Sequence, residues 1–150
     1  MIAKLLLPAL LLATVPAWAS DTGRSYITKD RTASRAALPF SEAVRVGKTL
    51  YVAGHIGIDP ATEQAASNVD VEARAVMDAV KATVEQAGYK MDDLVSVTVY
   101  CTDLALYDTF NSAYRTYFHE KYPARAFIGV AKLLRGAHFE VMGVAVKSAG

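Results

Sequence analysis

Two charged side chains in the last third of the sequence stand in settings that packing alone does not explain. Glu140 lies within the apolar segment 139–146, where an ionised carboxylate is costly unless a cation pairs with it. Arg125 stands at the start of the preceding apolar segment. If these two segments pair as a hairpin across the connector 131–137, Arg125 and Glu140 come close together. A structural ion pair and a functional pair are both compatible with that arrangement.

A guanidinium beside a carboxyl group suits the binding and hydrolysis of a small carboxylate. Arginine can hold a carboxylate with two parallel hydrogen bonds, and a glutamate can accept a proton and orient an attacking water. A substrate with a C=N or C=C–N group would add water at its electrophilic carbon and release ammonia. Such a carbon needs no further activation, so we expect neither a metal nor an organic cofactor.

Other motifs point to chemistry less strongly. The segment His138-Phe139-Glu140 is like the H-x-E of zinc deaminases, but their P-C-x-x-C half cannot occur in a chain with one cysteine. A solvated histidine is the expected state of His138, and the same expectation applies to His55 and His119. Cys101 ends an apolar strand with no base nearby in sequence, which favours an inert core position.

The composition describes a neutral globular domain. The 150 residues are 53% hydrophobic and 21% charged, with a formal net charge of +1. This balance leaves no basic surplus for a nucleic-acid backbone, so nucleic acid is not an expected partner. The single cysteine excludes an intrachain disulfide.

The N-terminal residues 1–19 predict a secretory signal peptide. Lys4 precedes an apolar run that ends in Ala17-Trp18-Ala19, a pattern that signal peptidases cleave. A membrane anchor is the alternative, but the run is too short to cross a bilayer. We therefore expect a periplasmic or secreted protein without a membrane contact after cleavage. Residues 20–38 form a loosely structured lead-in and residues 39–150 a single domain.

Hydrophobic periodicity predicts strands and helices in an order typical of an α+β domain. One helix ends before Gly88, and a second carries an aromatic stripe that we interpret as core or subunit interface, namely Tyr107, Phe110, Tyr114, Tyr117 and Phe118. The predicted strands are 25–28, 43–46, 49–53, 94–102, 126–130 and 139–146. The order predicts a mixed sheet with two helices packed on one face.

Several segments resemble, in order and spacing, the RidA/YjgF family of reactive-intermediate deaminases. The most specific is Pro123-Ala124-Arg125 with Glu140 in the following strand; the supporting segments are 39–44, 52–56 and 58–62. The resemblance covers nearly everything from Leu38 to Lys147.

This resemblance implies a chorismate-mutase-like fold, a homotrimer whose sheets form a central barrel, and active sites at the subunit boundaries. It implies hydrolysis of 2-aminoacrylate and related enamines or imines to 2-keto acids and ammonia. If the residue roles of the family are carried over to this sequence, Arg125 binds the substrate carboxylate and Glu140 positions or activates water. The substrate cleft would further contain Phe40, Ala53, Gly54, His55 and Phe127.

The sequence also departs from the family pattern at four of these positions. Phe40 replaces a tyrosine and Ala53 a serine, so two hydroxyl groups are missing, while His55 replaces a glutamine and Phe127 a cysteine. The alternative hypothesis is therefore a trimeric module of the same fold that binds small carboxylates, or acts as a chaperone, without turnover.

Overall fold

The computed structural model describes residues 23–28, 39–119 and 121–148. The predicted signal peptide and most of the predicted lead-in lie outside the described residues. The strands are β1 (Arg24–Ile27), β2 (Ala43–Val46), β3 (Thr49–Ile56), β4 (Leu94–Cys101), β5 (Ala124–Gly129) and β6 (Phe139–Val146). The α-helices are α1 (Val69–Gln86) and α2 (Tyr107–Tyr114). No helix in these ranges is long and apolar enough to span a membrane.

Local signals determine the first half of the fold, and the predicted elements there are confirmed. β2 and β3 form the predicted antiparallel hairpin, whose turn uses Gly47 at a φ of 57°. The short predicted strand in the lead-in is β1, which pairs with β2. α1 begins where the Asn68 side chain accepts hydrogen bonds from the N–H groups of Asp70 and Val71. It ends just before Gly88, which has a φ of 79°.

The second helix is shorter than the sequence pattern predicts. α2 ends at Tyr114, and the chain continues as a 3-10 turn over Arg115–Tyr117. Tyr117 still packs against α1, because its hydroxyl donates to Asp78 Oδ1 at 2.8 Å and lies 3.1 Å from the Arg74 carbonyl oxygen. The aromatic periodicity thus continues through the turn although the α-helical hydrogen bonds do not.

The six strands form one mixed sheet in the order β1-β2-β3-β6-β4-β5. The predicted hairpin between the last two strands is wrong, since β5 pairs with β4 in parallel and β6 lies between β3 and β4, antiparallel to both. The helical connection through α2 returns the chain to the end of the sheet at which β4 began, so that β5 runs parallel to β4. The hairpin does not form because β6 inserts between β3 and β4, where it forms backbone hydrogen bonds along both of its edges, and β5 is left at the edge of the sheet.

Both helices cover the same face of the sheet. The chain steps from β3 to β4 through α1 and from β4 to β5 through α2, in the same direction across the sheet. Two right-handed connections in one direction place both helices on one side. The predicted α+β class, with two helices on one face of a mixed sheet, is therefore confirmed.

The two faces of the sheet differ in burial. The face beneath the helices forms the core with Leu50, Val52, Val97, Val99, Phe139, Val141 and Ala145. The opposite face, called the open face below, carries several exposed apolar side chains: Tyr26, Tyr51, Ile128, Met142 and Val146. Apolar exposure on this scale is typical of a surface that another protein surface covers.

Candidate active site

Arg125 lies at the edge of the sheet, on the face that the helices cover. It is the second residue of the edge strand β5 and pairs in register with the buried Val97 of β4. Its guanidinium carbon lies 4.6 Å from the ring centre of Tyr114, 5.6 Å from that of Tyr107 and 5.7 Å from that of Phe127. Aromatic rings at such distances stabilise the cation without neutralising its charge.

The N–H groups of the Arg125 guanidinium form few hydrogen bonds with the described residues. Nη2 donates to the Tyr107 hydroxyl at 3.4 Å, which is long for a hydrogen bond. Nη1 is buried and has no hydrogen-bond partner among the described residues. Leaving a buried donor unpaired costs about 1–3 kcal/mol, and more for a charged group. An anion that accepts from this nitrogen would recover that cost.

Glu140 lies on the open face of the sheet, in the central strand β6. Its neighbours in sequence, Phe139 and Val141, are fully buried on the helix side, so alternation along the strand directs Glu140 to the opposite side. It pairs in register with Tyr100 of β4 and Ile56 of β3.

Gly54 provides the space that the Glu140 carboxyl group occupies. A Cβ atom on Gly54 would overlap the Oε1 atom of Glu140, so any other residue here would force the carboxylate to move. Gly54 lies within a β-bulge between Val52 and His55, where the pairing of β3 with β6 shifts its register. Bulge and glycine together let the backbone of β3 approach the carboxylate closely.

The hairpin that would bring Arg125 and Glu140 together within one chain does not form. The two side chains lie on opposite faces of the sheet, in strands separated by β4. A structural ion pair between them within one chain is excluded for the same reason. Within residues 23–28, 39–119 and 121–148, neither side chain has an oppositely charged group within 4.0 Å. Among the described residues, Arg125 and Glu140 are therefore a cation and a carboxylate without an oppositely charged partner, on opposite faces of the sheet.

The structure divides the other predicted substrate residues between these two surfaces. Phe127 joins Arg125, with its ring 5.0 Å from that of Tyr107. Gly54 joins Glu140, and the half-buried Ala53 precedes it in the bulge. Phe40 is 55% exposed in the bend before β2, and among the described residues no ring contact joins it to Arg125.

His55 is not solvated as predicted, and it does not accompany Glu140 on the open face. It is buried, pairs in register with the fully buried Val141, and its Nδ1 lies 3.5 Å from Glu42 Oε2. The bulge explains the difference, because one extra residue in β3 changes the face to which the next side chain points.

His138 is also not a free solvated histidine, because the sequence analysis missed its partner Glu72. The Glu72 carboxylate is completely buried in α1 and accepts from the backbone N–H groups of His138 and Phe139 at 2.6 and 3.0 Å. The His138 ring Nδ1 lies 2.7 Å from its other oxygen. Glu72 shares a helix face with the buried Val76 and Val80, and this spacing could have revealed its burial.

Tyr107 and Tyr114 belong to the Arg125 surroundings, whereas the sequence analysis assigned them only to core or interface. Their spacing of two helical turns places them on one face of α2, and the parallel connection lays that face over β5. Burial raises the pKa of the Tyr114 hydroxyl from its ordinary value of 10.0 to about 12, against the opposing effect of Arg125. The group therefore stays protonated across the physiological range.

Cys101 is a buried core residue, as predicted. Its side chain is fully inaccessible, and its Sγ donates to the Asp103 carbonyl oxygen at 3.0 Å. Burial raises the pKa of the thiol, which disfavours the reactive thiolate.

Comparison with known proteins identifies the family. The model of the family described as Endoribonuclease L-PSP matches residues 30–147. A RutC family protein of Sulfurisphaera tokodaii is 37% identical over 110 residues, covering 73% of this chain and 88% of its own. A 2-iminobutanoate/2-iminopropanoate deaminase of Salmonella typhimurium is 36% identical over 112 residues, covering 73% and 88%.

A solved structure shares the fold as well as the sequence similarity. E. coli TdcF, crystallised with bound serine, superposes with a TM-score of 0.74 at 31% identity, covering 83% of this chain and 100% of that one. The predicted resemblance is thus confirmed by sequence and by structure. This chain belongs to the Endoribonuclease L-PSP family, which is the RidA/YjgF family of the sequence prediction.

Proposed function

We propose that the protein is a hydrolytic deaminase of small enamine and imine carboxylates, which it converts to 2-keto acids and ammonia. The observation that carries this proposal is that Arg125 and Glu140 have no oppositely charged partner among the described residues, in a chain related to a named 2-iminobutanoate/2-iminopropanoate deaminase. The two groups have the complementary roles that such a reaction needs, one for the substrate carboxylate and one for water.

The proposed site is shared between two copies of the chain in a homotrimer. Because Arg125 and Glu140 face opposite sides of one sheet, a substrate can touch both only if they come from different copies. The apolar open face supports this arrangement, since exposed side chains such as Tyr51 and Met142 would be covered by a neighbouring copy. The edge strand β5, which carries Arg125, would then lie near the open face of its neighbour.

In this site Arg125 holds the substrate carboxylate and leaves the imine carbon facing Glu140 of the neighbouring copy. Glu140 accepts a proton from water as the water oxygen bonds to that carbon. The C=N π electron pair moves to the protonated imine nitrogen in this addition, which gives a carbinolamine. Glu140 returns its proton to the nitrogen, the C–N bond breaks with its electron pair leaving on ammonia, and the hydroxyl oxygen forms C=O as its proton passes back to Glu140 and then to solvent. The imine carbon is itself electrophilic, so these two side chains and one water account for every bond that changes.

The direct test measures 2-keto acid and ammonia release from freshly generated 2-iminobutanoate. We expect release above the rate in buffer for the wild type and its loss in Arg125→Ala and in Glu140→Gln. Arg115→Ala is the matched control, because Arg115 is exposed beside α2 and has no role in the proposed site. Equal release by the wild type and Arg125→Ala, or none above buffer, would refute the proposal.

A binding module without turnover is the second candidate function. The absence of hydroxyl groups at Phe40 and Ala53 favours it, because a site with fewer donors enforces substrate orientation less strongly. Calorimetry separates the two functions: a carboxylate that binds equally well to Glu140→Gln and the wild type, with no hydrolysis by either, would favour the module.

We further propose that the protein acts in the periplasm or outside the cell, on the basis of the sequence of residues 1–19. The test is N-terminal sequencing of the protein recovered from the periplasm or the medium, which should begin at Ser20. Recovery of the uncleaved chain from the cytoplasm would refute this localisation.

A further inference from the structure

The terminal nitrogen atoms of Arg125 are not equivalent, because Nη2 donates to the Tyr107 hydroxyl whereas Nη1 is buried without a hydrogen-bond partner among the described residues. Tyr114 lies closest, with its ring centre 4.6 Å from the guanidinium carbon, while Tyr107 and Phe127 are about an ångström farther away, at 5.6 and 5.7 Å. Contacts with ring faces do not use the N–H groups of the fork, which point outward in the plane of the guanidinium.

The hydroxyl group of Tyr107 is positioned beside that fork. Arginine carries only donors, so the 3.4 Å contact between Arg125 Nη2 and Tyr107 requires the hydroxyl oxygen to accept. The hydroxyl proton is then free to point to another acceptor. The contact between Arg125 Nη2 and the Tyr107 hydroxyl is long and therefore weak. A carboxylate nearby would form stronger, charge-assisted hydrogen bonds with both the guanidinium and the hydroxyl.

Two tyrosine hydroxyls lie near Arg125, and only one can be reached from outside the chain. Tyr107 is 45% exposed, whereas Tyr114 is 3% exposed and its hydroxyl is buried without a hydrogen-bond partner among the described residues. The Tyr107 ring is held in place by Phe127, which it meets edge to face at 5.0 Å and 81°. Its hydroxyl therefore has a fixed position at the accessible side of the guanidinium.

We propose that Tyr107 determines specificity for carboxylate substrates by donating its hydroxyl hydrogen bond to the carboxylate that Arg125 binds. This inference rests on the proposed function. It adds a substrate-binding residue that the family resemblance did not name. Tyr107 supplies a hydroxyl donor to a pocket in which Phe40 and Ala53 have none. The guanidinium contributes charge, and the hydroxyl selects the orientation of the carboxylate.

The test compares Tyr107→Phe with the wild type in two measurements. Tyr107→Phe keeps the ring and removes only the hydroxyl, so the packing on Phe127 is retained. We expect KM for 2-iminobutanoate and the calorimetric Kd for the product 2-oxobutanoate to rise together by about tenfold, the scale of a lost hydrogen bond to a charged group. We expect kcat to stay within about twofold, because the carboxylate is bound alike in the ground state and the transition state.

Ser112→Ala is the control, since it removes an exposed hydroxyl group from the same helix, one that donates to the Asp108 carbonyl oxygen. Unchanged KM and Kd in Tyr107→Phe would overturn the inference, as would a loss of affinity in Tyr114→Phe without one in Tyr107→Phe. The product measurement separates this inference from the proposed function. If the wild type binds 2-oxobutanoate but hydrolyses nothing, the deaminase proposal fails and Tyr107 is still tested by Kd; if it binds none, both fail.

Discussion

The buried carboxylate of Glu72 holds the backbone at His138, two residues before Glu140. It accepts hydrogen bonds from the backbone N–H groups of His138 and Phe139. Its Oε2 atom lies 2.7 Å from the ring Nδ1 of His138. These bonds fix the point at which β6 begins beneath α1. Because the strand is nearly rigid over two residues, Glu72 also fixes the place from which the Glu140 side chain extends on the other face.

Replacing Glu72 should therefore destabilise the protein strongly. Glu72→Ala leaves two backbone donors without their acceptor in a buried position, and we expect the free energy of unfolding to fall by about 3 kcal/mol. Urea unfolding measures this change. Glu85→Ala is the matched control in the same helix, because Glu85 forms only an exposed pair with Lys81 and should cost no more than about 0.5 kcal/mol. Equal losses in the two variants would show that the Glu72 bonds do not stabilise the fold.

Adding one carbon at Gly54 should impair catalysis more than stability. In Gly54→Ala the new methyl group would occupy the position of Glu140 Oε1, so the carboxylate must swing away from its place. A displacement of about 1 Å is enough to lower kcat by about 100-fold. Gly54 is exposed, and we expect the unfolding midpoint to move little.

The double variant Gly54→Ala, Glu140→Gln checks the cause of that loss. If the methyl group acts only by displacing the carboxylate, adding it to Glu140→Gln should not lower further the residual rate of that variant, measured in single turnovers at high enzyme concentration. Multiplicative losses would instead mean that Gly54 contributes to the reaction in another way, for example through its backbone.

Local signals made most of the elements predictable. The hairpin of β2 and β3 follows from Gly47, and α1 follows from Asn68 at its start and Gly88 at its end, because each residue satisfies a requirement of its own short segment. β6 was predicted with its observed bounds, since apolar residues continue through Phe139–Val146. None of these predictions depended on which strands pair.

Strand order was not predictable in this way, and the error in the site follows from it. Arg125 and Glu140 were identified as unusual from their own surroundings, but their relative position depends on β4 lying between their strands. The helix between β4 and β5 favours a parallel β4–β5 pair, but it leaves open whether β6 pairs with β5 or inserts beside β4. The Glu72 contact with His138 spans 66 positions and had no local signal at His138.

Alkaline pH should destabilise the protein through Tyr114. Burial raises its pKa in the folded protein to about 12, whereas the unfolded chain ionises near the ordinary value of 10.0. Between these values the unfolded state has lost the proton and the folded state retains it, so the free energy of unfolding falls as the pH rises. The contribution of the Tyr114 phenol to the free energy of unfolding is fully present below about pH 10 and is lost by about pH 12.

Comparison with Tyr114→Phe isolates this effect from other groups that titrate in the same range. The variant has no phenol at this position, so between pH 10 and pH 12 it should lose about 2 kcal/mol less of its unfolding free energy than the wild type. Parallel curves for the wild type and Tyr114→Phe would show that the buried phenol is not linked to folding.

Mixing two inactive variants should restore activity if the site is shared between copies. In a trimer assembled from equal amounts of Arg125→Ala and Glu140→Gln chains, a site is intact when its arginine comes from the second variant and its glutamate from the first. Random assortment makes about a quarter of the sites intact, so we expect about a quarter of the wild-type rate per site after joint refolding. Each variant refolded alone should remain inactive, because each of its sites lacks the same group.

The same mixture distinguishes a shared site from one that a rearranged single chain would form. If Arg125 and Glu140 of one chain acted together, every chain in the mixture would lack one of them and no recovery could occur. A chain carrying both substitutions provides the control, because mixing it with wild-type chains must lower the rate per site and cannot create new intact pairs. Recovery confined to the mixture of single variants therefore requires that the cation and the carboxylate of one site come from two chains, as their positions on opposite faces of the sheet demand.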